Sequence, residues 1–203
     1  MNTIKIEERN ITPSKVICIG RNYVDHIKEL NNEVPTEIVF FIKPNSCISN
    51  QIIFPKGHDT CHYEAEISFI VEDNKITAVG FGLDLTLREI QSKLKKKGLP
   101  WERAKSFHNA AVFSDFVNIN KVDDLSVELE INGKLIQKGG VDLMIHKPYD
   151  AITEALTFTY FEDGDILMTG TPKGVGIFSV GDVFVGRILD KDKVLIEETF
   201  IVQ

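Results

Sequence analysis

Apolar positions along the chain recur mostly in short runs with a period of two, so a β-rich protein with few helices is expected. KVICIG (15–20), IVFFIK (38–43), AEISFIV (65–71) and AVGFGLDL (78–85) read as strands in the first part of the chain. VELEING (127–133), DILMTG (165–170) and DVFVGRI (182–188) read the same way in the second. Asn132-Gly133, between VELEI and KLIQ, predicts a tight hairpin, because both central positions of a type I′ turn need positive φ. A period near 3.6 appears in three places. Thr86 with Glu89 has the spacing of a capping box, Leu87, Ile90 and Leu94 form a stripe, and Lys95-Lys96-Lys97-Gly98 closes the helix. Pro148 opens a second helix through YDAITEALTF, and a short third fits residues 22–30.

With 203 residues and no linker or repeat, one domain with a sizeable core is expected. A net charge of -7 disfavours a general affinity for nucleic acid. No apolar run reaches the roughly 20 residues needed to cross a bilayer, and MNTIKIEERNITPSK has no signal-peptide core, so no membrane association and a cytoplasmic location are expected. Cys18, Cys47 and Cys61 form no CxxC pair and are read as packing residues of a reducing compartment.

The chemistry begins with an oddity in HYEAEISFIV (62–71). Strand alternation puts Glu64 and Glu66 on one face and Ala65, Ile67 and Phe69 on the other, so two like charges share a patch beside apolar sequence. That arrangement is unfavourable unless a cation lies between them. Asp84, at the end of a strand, offers a third carboxylate, and three hard oxygen ligands suit Mg²⁺ or Mn²⁺. Unrelated surface acids would give the same spacing. His26 and Glu29, at i and i+3, could form a dyad in which the carboxylate orients the imidazole as a general base, or a solvated helix pair. Residues 166–176, ILMTGTPKGVG, fit neither nucleotide-binding glycine pattern, but their backbone N–H groups with the Thr169 and Thr171 hydroxyls could hold a small carboxylate; an ordinary turn is the other reading. Lys105 could bind an anion or stabilise an enolate if buried, and Arg88 and Gln91 lie one helical turn apart beyond Asp84.

Taken in order, GRNYVDHIKEL, FFIKP, HYEAEISFIV, GLDLTLREIQ, KGLPWERAKSF and GDILMTGTPKGVG resemble the fumarylacetoacetate hydrolase superfamily from Val16 to about Ile188. The resemblance implies an α+β, β-rich fold, a mixed β-sheet roll of the C-terminal-domain type, spanning residues 1–203 as a single catalytic domain. It implies Glu64, Glu66 and Asp84 as ligands of Mg²⁺ or Mn²⁺, and His26 with Glu29 as a catalytic dyad on a mobile lid over residues 22–34. Lys105 becomes the cation beside the substrate, Arg88, Gln91 and Thr171 line the pocket, and Arg21, Asn22 and Tyr23 border it. The extra N-terminal domain of the tyrosine-degradation hydrolase is not expected, and GRNY, KKKGLPW and AKSF look most like the short acylpyruvase and oxaloacetate decarboxylase branch. GGVDLMIHKP matches loosely, and residues 189–203 carry no motif.

The expected activity is therefore hydrolysis of a C–C bond in acylpyruvate-type 2-oxo acids, with oxaloacetate decarboxylation beside it, in a homodimer. Two alternatives share the fold: an oxaloacetate keto-enol tautomerase and an isomerase-decarboxylase of aromatic catabolism. A third, of another class, is a metal-binding scaffold without catalysis.

Overall fold

The computed structural model describes all residues except 31, 32 and 34, so part of the lid expected over 22–34 lies outside the described residues. The pattern-based strands form two packed sheets. The larger has eight strands, ordered Val39–Pro44, Lys15–Gly20, Asp165–Met168, Ala65–Glu72, Lys75–Asp84, Ala111–Phe113 and Ile48–Ser49, with Val117–Asn118 added beside Lys75–Asp84. It is mixed, because Lys15–Gly20 runs parallel to Asp165–Met168 and Ile48–Ser49 parallel to Ala111–Phe113. The smaller sheet is antiparallel: Lys134–Gly140, Leu125–Ile131, Val183–Asp190 and Lys193–Ile201.

The two sheets meet through alternating residues. Ile67, Phe69, Val79 and Phe81 join Val127, Leu129, Phe184 and Ile188 in one core. The Phe81 ring stands over Gly186, where a Cβ would come within 2.6 Å of it, and packs 6.1 Å from Phe200. Opposite-facing residues of the large sheet, including Cys18, Ile70, Ala78 and Ile166, form a second core under Ile4, Ile6 and Phe116. The large sheet is thus buried on both faces, which is why its strands read as nearly continuous apolar runs. Asn132 (φ 52°) and Gly133 (φ 78°) make the expected hairpin turn. Cys18, Cys47 and Cys61 are free and buried, and burial raises all three thiols, Cys61 to about 12.

The expected helices form at Val24–Glu29, Arg88–Lys96 and Pro148–Ala155, with a further single turn at Glu102–Lys105. The capping box does not. Leu87 occupies the N-cap, and the Thr86 hydroxyl instead donates to the Asp84 carbonyl at 3.1 Å. Residues 189–203, which carry no motif, complete the small sheet through Lys193–Ile201. No helix among the described residues is long and apolar enough to cross a membrane.

Asp165 fastens the sheet end farthest from the carboxylates. Its buried carboxylate accepts from the Ser14 N–H (2.7 Å), the Ser14 hydroxyl (2.8 Å), the Lys15 N–H (3.1 Å), the Glu162 N–H (2.9 Å) and Lys15 Nζ (2.5 Å). Burial alone would raise this carboxyl, but the bonds from Lys15, Glu162 and Ser14 outweigh it and hold it below the ordinary value. A carboxylate depressed on folding adds stability above its unfolded value, and that stability is lost as the pH falls through the folded value. Asp165→Ala is expected to cost about 2–4 kcal/mol at neutral pH, and the gap to wild type should close below about pH 4. Urea melts at pH 7 and pH 3 check both; a constant gap would assign the loss to packing.

Candidate active site at a buried carboxylate cluster

Antiparallel pairing of Ala65–Glu72 with Lys75–Asp84 brings the acids together. Ala65 is paired with Leu83 and Glu66 with Gly82, and the Asp84 N–H donates to the Glu64 carbonyl at 2.9 Å. Glu64 therefore lies opposite Asp84 and points to the same face, with Glu66 two residues along. One oxygen from each carboxylate falls within 4.8 Å of the others, and all three residues are buried.

Cations reach the cluster from several elements. The turn Glu102–Lys105 delivers Lys105, whose Nζ lies 2.9 Å from Glu64 Oε2, 2.5 Å from Asp84 Oδ2 and 2.7 Å from Thr86 Oγ1. Arg88, in the first turn of its helix, pairs with Glu64 Oε1 and donates to Gln91 Oε1 at 2.7 Å. From beneath, Lys43 donates to the carbonyls of Lys105, Ala110 and Leu85, and its Nζ stands 2.8 Å from Asp84 Oδ1. Asp84 Oδ1 is thus charge-compensated by Lys43 while making no hydrogen bond of good geometry among the described residues.

The charges are unevenly shared. Burial works against ionisation of Glu64, but Lys105, Arg88 and His26 overcome it and hold the carboxyl well below the usual range. Burial likewise opposes the charge on Lys105, and Asp84 and Glu64 more than restore it. Glu66 goes the other way: burial, Asp84 and Glu64 all push its carboxyl well up, against one hydrogen bond from the Gly170 N–H at 2.8 Å and the Lys105 charge. A buried carboxylate short of positive charge, beside an Asp84 oxygen with an open lone pair, fits a divalent cation. The three donors are the hard oxygens such an ion takes.

The loop after Asp165–Met168 does a different job from the one expected. The Thr169 hydroxyl donates to the Ile67 carbonyl and the Thr171 hydroxyl to the Ala65 carbonyl, so neither is spare for a substrate carboxylate. Thr171 still lines the cleft; Thr169 does not. Gly170, at φ 89°, turns its N–H to Glu66, and a Cβ there would stand 2.9 Å from Asn22 Cβ. The loop is a support for the Glu66 carboxylate.

His26 is 6% exposed, and its Nδ1 lies 3.2 Å from Glu29 Oε2. Glu29 is anchored in turn by the Gly174 N–H, at 3.0 and 3.2 Å from its two oxygens. The dyad is thus fixed by the same loop that supports Glu66. Nε2 is left as the ring nitrogen able to carry a proton to or from a ligand. Lys105, Arg21, Arg88 and Gln91 line one narrow cleft with His26 and the three acids, with a cavity volume of about 40 Å³. Tyr23 does not border it: the side chain is 2% exposed and packs in the inter-sheet core, under Gly139. Asn22 is also buried, and its amide pins the backbone of His146 and Thr169.

Sequence reasoning missed Lys43, although the FFIKP motif contains it. It missed Gln137 too, whose amide accepts from the Ala65 N–H and donates to Thr171 Oγ1, tying two strands beneath the acids. Lys95 was read only as a helix terminus, yet it lines the cleft, with Nζ 5.8 Å from the Trp101 ring centroid.

Known proteins resemble this chain in sequence and fold. The mitochondrial oxaloacetate tautomerase oaa1 of Schizosaccharomyces pombe is 39% identical over 200 residues, covering 86% of this chain and 88% of that one. The Escherichia coli oxaloacetate tautomerase YcgM is 36% identical over 187 residues, covering 83% and 85%. A crystal structure from Oleispira antarctica, described as a candidate fumarylacetoacetate isomerase/hydrolase, superposes with a TM-score of 0.93 at 34% identity and full coverage of both chains. The family model described as fumarylacetoacetate (FAA) hydrolase C-terminal matches residues 15–199, and the chain belongs to that family.

Proposed function

We propose that this protein is a divalent-metal-dependent oxaloacetate keto-enol tautomerase. The observation that carries the reading is a buried imidazole, held at Nδ1 by Glu29, in the same small cleft as three clustered carboxylates and Lys105. The choice of a tautomerase over the acylpyruvate hydrolase expected from sequence rests on the two curated relatives, both oxaloacetate tautomerases matched along most of their length.

Glu64, Glu66 and Asp84 would hold Mg²⁺ or Mn²⁺, which when bound supplies a Lewis acid for the carboxylate and keto oxygens of a 2-oxo acid. The chain's own groups do the proton work. His26 accepts a proton from C3 as the C3–H bond breaks and the C2–C3 double bond forms, and the Glu29 carboxylate stabilises the resulting imidazolium. The same proton is returned to the C2 oxygen, so the sum is an isomerisation with no water consumed. Lys105 places its ammonium beside the negative charge that develops on that oxygen. Phe41, Ile27 and Trp101 on the cleft wall limit the entry of water, which would otherwise compete for the proton.

The test is spectroscopic, since enol-oxaloacetate has an ultraviolet absorbance that the keto form lacks. The protein with Mg²⁺ or Mn²⁺ should speed decay of that absorbance without forming pyruvate, and EDTA should abolish the effect. Release of pyruvate from acylpyruvates, with no acceleration of the enol decay, would instead establish the hydrolase.

A further inference from the structure

A buried glutamine occupies a place that the strand pattern reserves for an apolar side chain. In the hairpin of the small sheet Ile131 is paired with Lys134, Glu130 with Leu135 and Leu129 with Gln137, so Ile136 is left over in a bulge. Residues paired across a ladder share a face, and Leu129 faces the inter-sheet core. The bulge therefore turns Gln137 inward, where it is 1% exposed. In an unbroken register Ile136 would take that position and Gln137 would face out.

Both amide protons and the amide oxygen are engaged. Oε1 accepts from the Ala65 N–H at 3.0 Å, and Nε2 donates to Thr171 Oγ1 and to the Pro172 carbonyl, each at 2.8 Å. A backbone N–H only donates and a carbonyl only accepts, so the amide has one workable orientation. The Thr171 hydroxyl donates in turn to the Ala65 carbonyl, which closes a ring through Gln137, Ala65 and Thr171. Ala65 stands between Glu64 and Glu66, and Thr171-Pro172 stands between Gly170 and Gly174. The Gly170 N–H holds Glu66, and the Gly174 N–H holds Glu29. At Gly174 the backbone also packs on the Gln137 stem, where a Cβ would come 3.2 Å from Cγ. One side chain thus grips the middle of a loop whose two ends support the acid cluster and the dyad.

We propose that Gln137 is a positioning residue of the active site, setting Glu66 and the His26–Glu29 pair in place relative to each other through the loop over residues 169–174. This rests on the proton-transfer role given to His26 and extends it to a residue that is not on the cleft lining. Released at Thr171 and Pro172, the loop would let the Gly174 N–H leave Glu29, and the imidazole would lose the partner that fixes its tautomer. At the other end the Gly170 N–H would no longer be held against Glu66. Groups that orient ligands in this indirect way are typically worth about 10- to 100-fold in metal affinity or activity.

Gln137→Met keeps the length of the side chain and removes all three hydrogen bonds. Calorimetric Mn²⁺ affinity should fall by about 10-fold or more. In the metal-free protein, nitrogen NMR of the His26 ring should show the proton held on Nδ1 in wild type and shared between both nitrogens in the variant. With saturating Mn²⁺, enol-oxaloacetate turnover per folded protein should fall by about 10- to 100-fold. The same substitution made in His26→Ala should cost less than about twofold, because the dyad it acts through is gone. If Gln137→Met does not fold, Gln137→Asn takes its place: it leaves an amide for the buried groups but is too short to reach Ala65 and Pro172 together, and the same outcomes are expected. Equal losses in the two backgrounds would assign Gln137 to the fold alone and overturn the proposal. So would a His26 tautomer or a Mn²⁺ affinity that did not move. If wild type fails to tautomerise oxaloacetate while the His26 ring and Mn²⁺ affinity both respond to Gln137→Met, the reaction assignment falls and the positioning role stands.

Discussion

His26→Ala is expected to lower oxaloacetate tautomerisation by about 10²- to 10⁴-fold, the usual contribution of a positioned general base, while divalent-metal affinity stays unchanged. His26 is buried on the cleft wall, and its role depends on one nitrogen being held so that the other can carry the proton. Glu29→Gln should give a smaller loss, because a neutral amide can keep the ring in place but stabilises an imidazolium poorly. The pair also separates two chemistries. Decarboxylation of oxaloacetate needs an electron sink but no proton taken from C3, so its background rate should survive His26→Ala better than tautomerisation does. Initial rates for both reactions on the same preparations, with calorimetric Mn²⁺ titrations beside them, make the comparison. Full tautomerase activity in His26→Ala would remove the dyad from the mechanism.

Most of the strands were legible because the large sheet is covered on both faces and its runs are uniformly apolar. The convergence of the acids was harder to read, and one bulge shows why. Asp73 and Asn74, both at positive φ, close the hairpin with Glu72 opposite Lys75 and Val71 opposite Ile76. Extended without interruption, that register would set Glu64 against Leu83 and turn Asp84 to the other face. A shift between Ile70 and Val71 pairs Ile70 with Ala78, leaves Thr77 unpaired, and brings Asp84 opposite Glu64. Nothing in the apolar pattern marks this shift; Thr77, which donates to Glu72 Oε2 at 2.9 Å, is its only local trace.

Other differences have equally local causes. Thr86 has the sequence spacing of a capping residue, but Lys105 and the Asp84 carbonyl engage its hydroxyl, so the helix starts beyond it. Lys43 was hidden because a lysine on an edge strand ordinarily reaches water, whereas here three backbone carbonyls and Asp84 surround it. Tyr23 shares a motif with Arg21, yet the two diverge because Arg21 takes positive φ (59°) and the next residues turn inward. Motif membership located the neighbourhood, and backbone geometry decided which side chain faces the cleft.

Glu66→Gln should separate stability from function in opposite directions. In the metal-free protein the Glu66 carboxylate is buried beside Glu64 and Asp84, and the Gly170 N–H and the Lys105 charge do not outweigh them, so its charge is a cost to the fold. A glutamine keeps the shape and can still accept that hydrogen bond through its amide oxygen. Removing the charge is therefore expected to stabilise the metal-free protein, because burial, Asp84 and Glu64 all oppose ionisation there. The same change removes one of the three carboxylates proposed as ligands, and Mn²⁺ affinity should fall by about 100-fold or more, since even residues that merely support metal ligands are worth 10- to 100-fold. Wild type should then gain stability on adding Mn²⁺ and overtake the variant, because a ligand that binds only the folded state stabilises it by mass action. Thermal melts with EDTA and with saturating Mn²⁺ would show the two curves exchanging order. If Glu66→Gln melted lower than wild type in EDTA, the carboxylate would already be compensated without metal; if it bound Mn²⁺ as tightly as wild type, Glu66 would not be a ligand. The outcome in which both fail is informative about Lys105: its ammonium, 2.9 Å from Glu64 Oε2 and 2.5 Å from Asp84 Oδ2, would then be the cation that this cluster was built around.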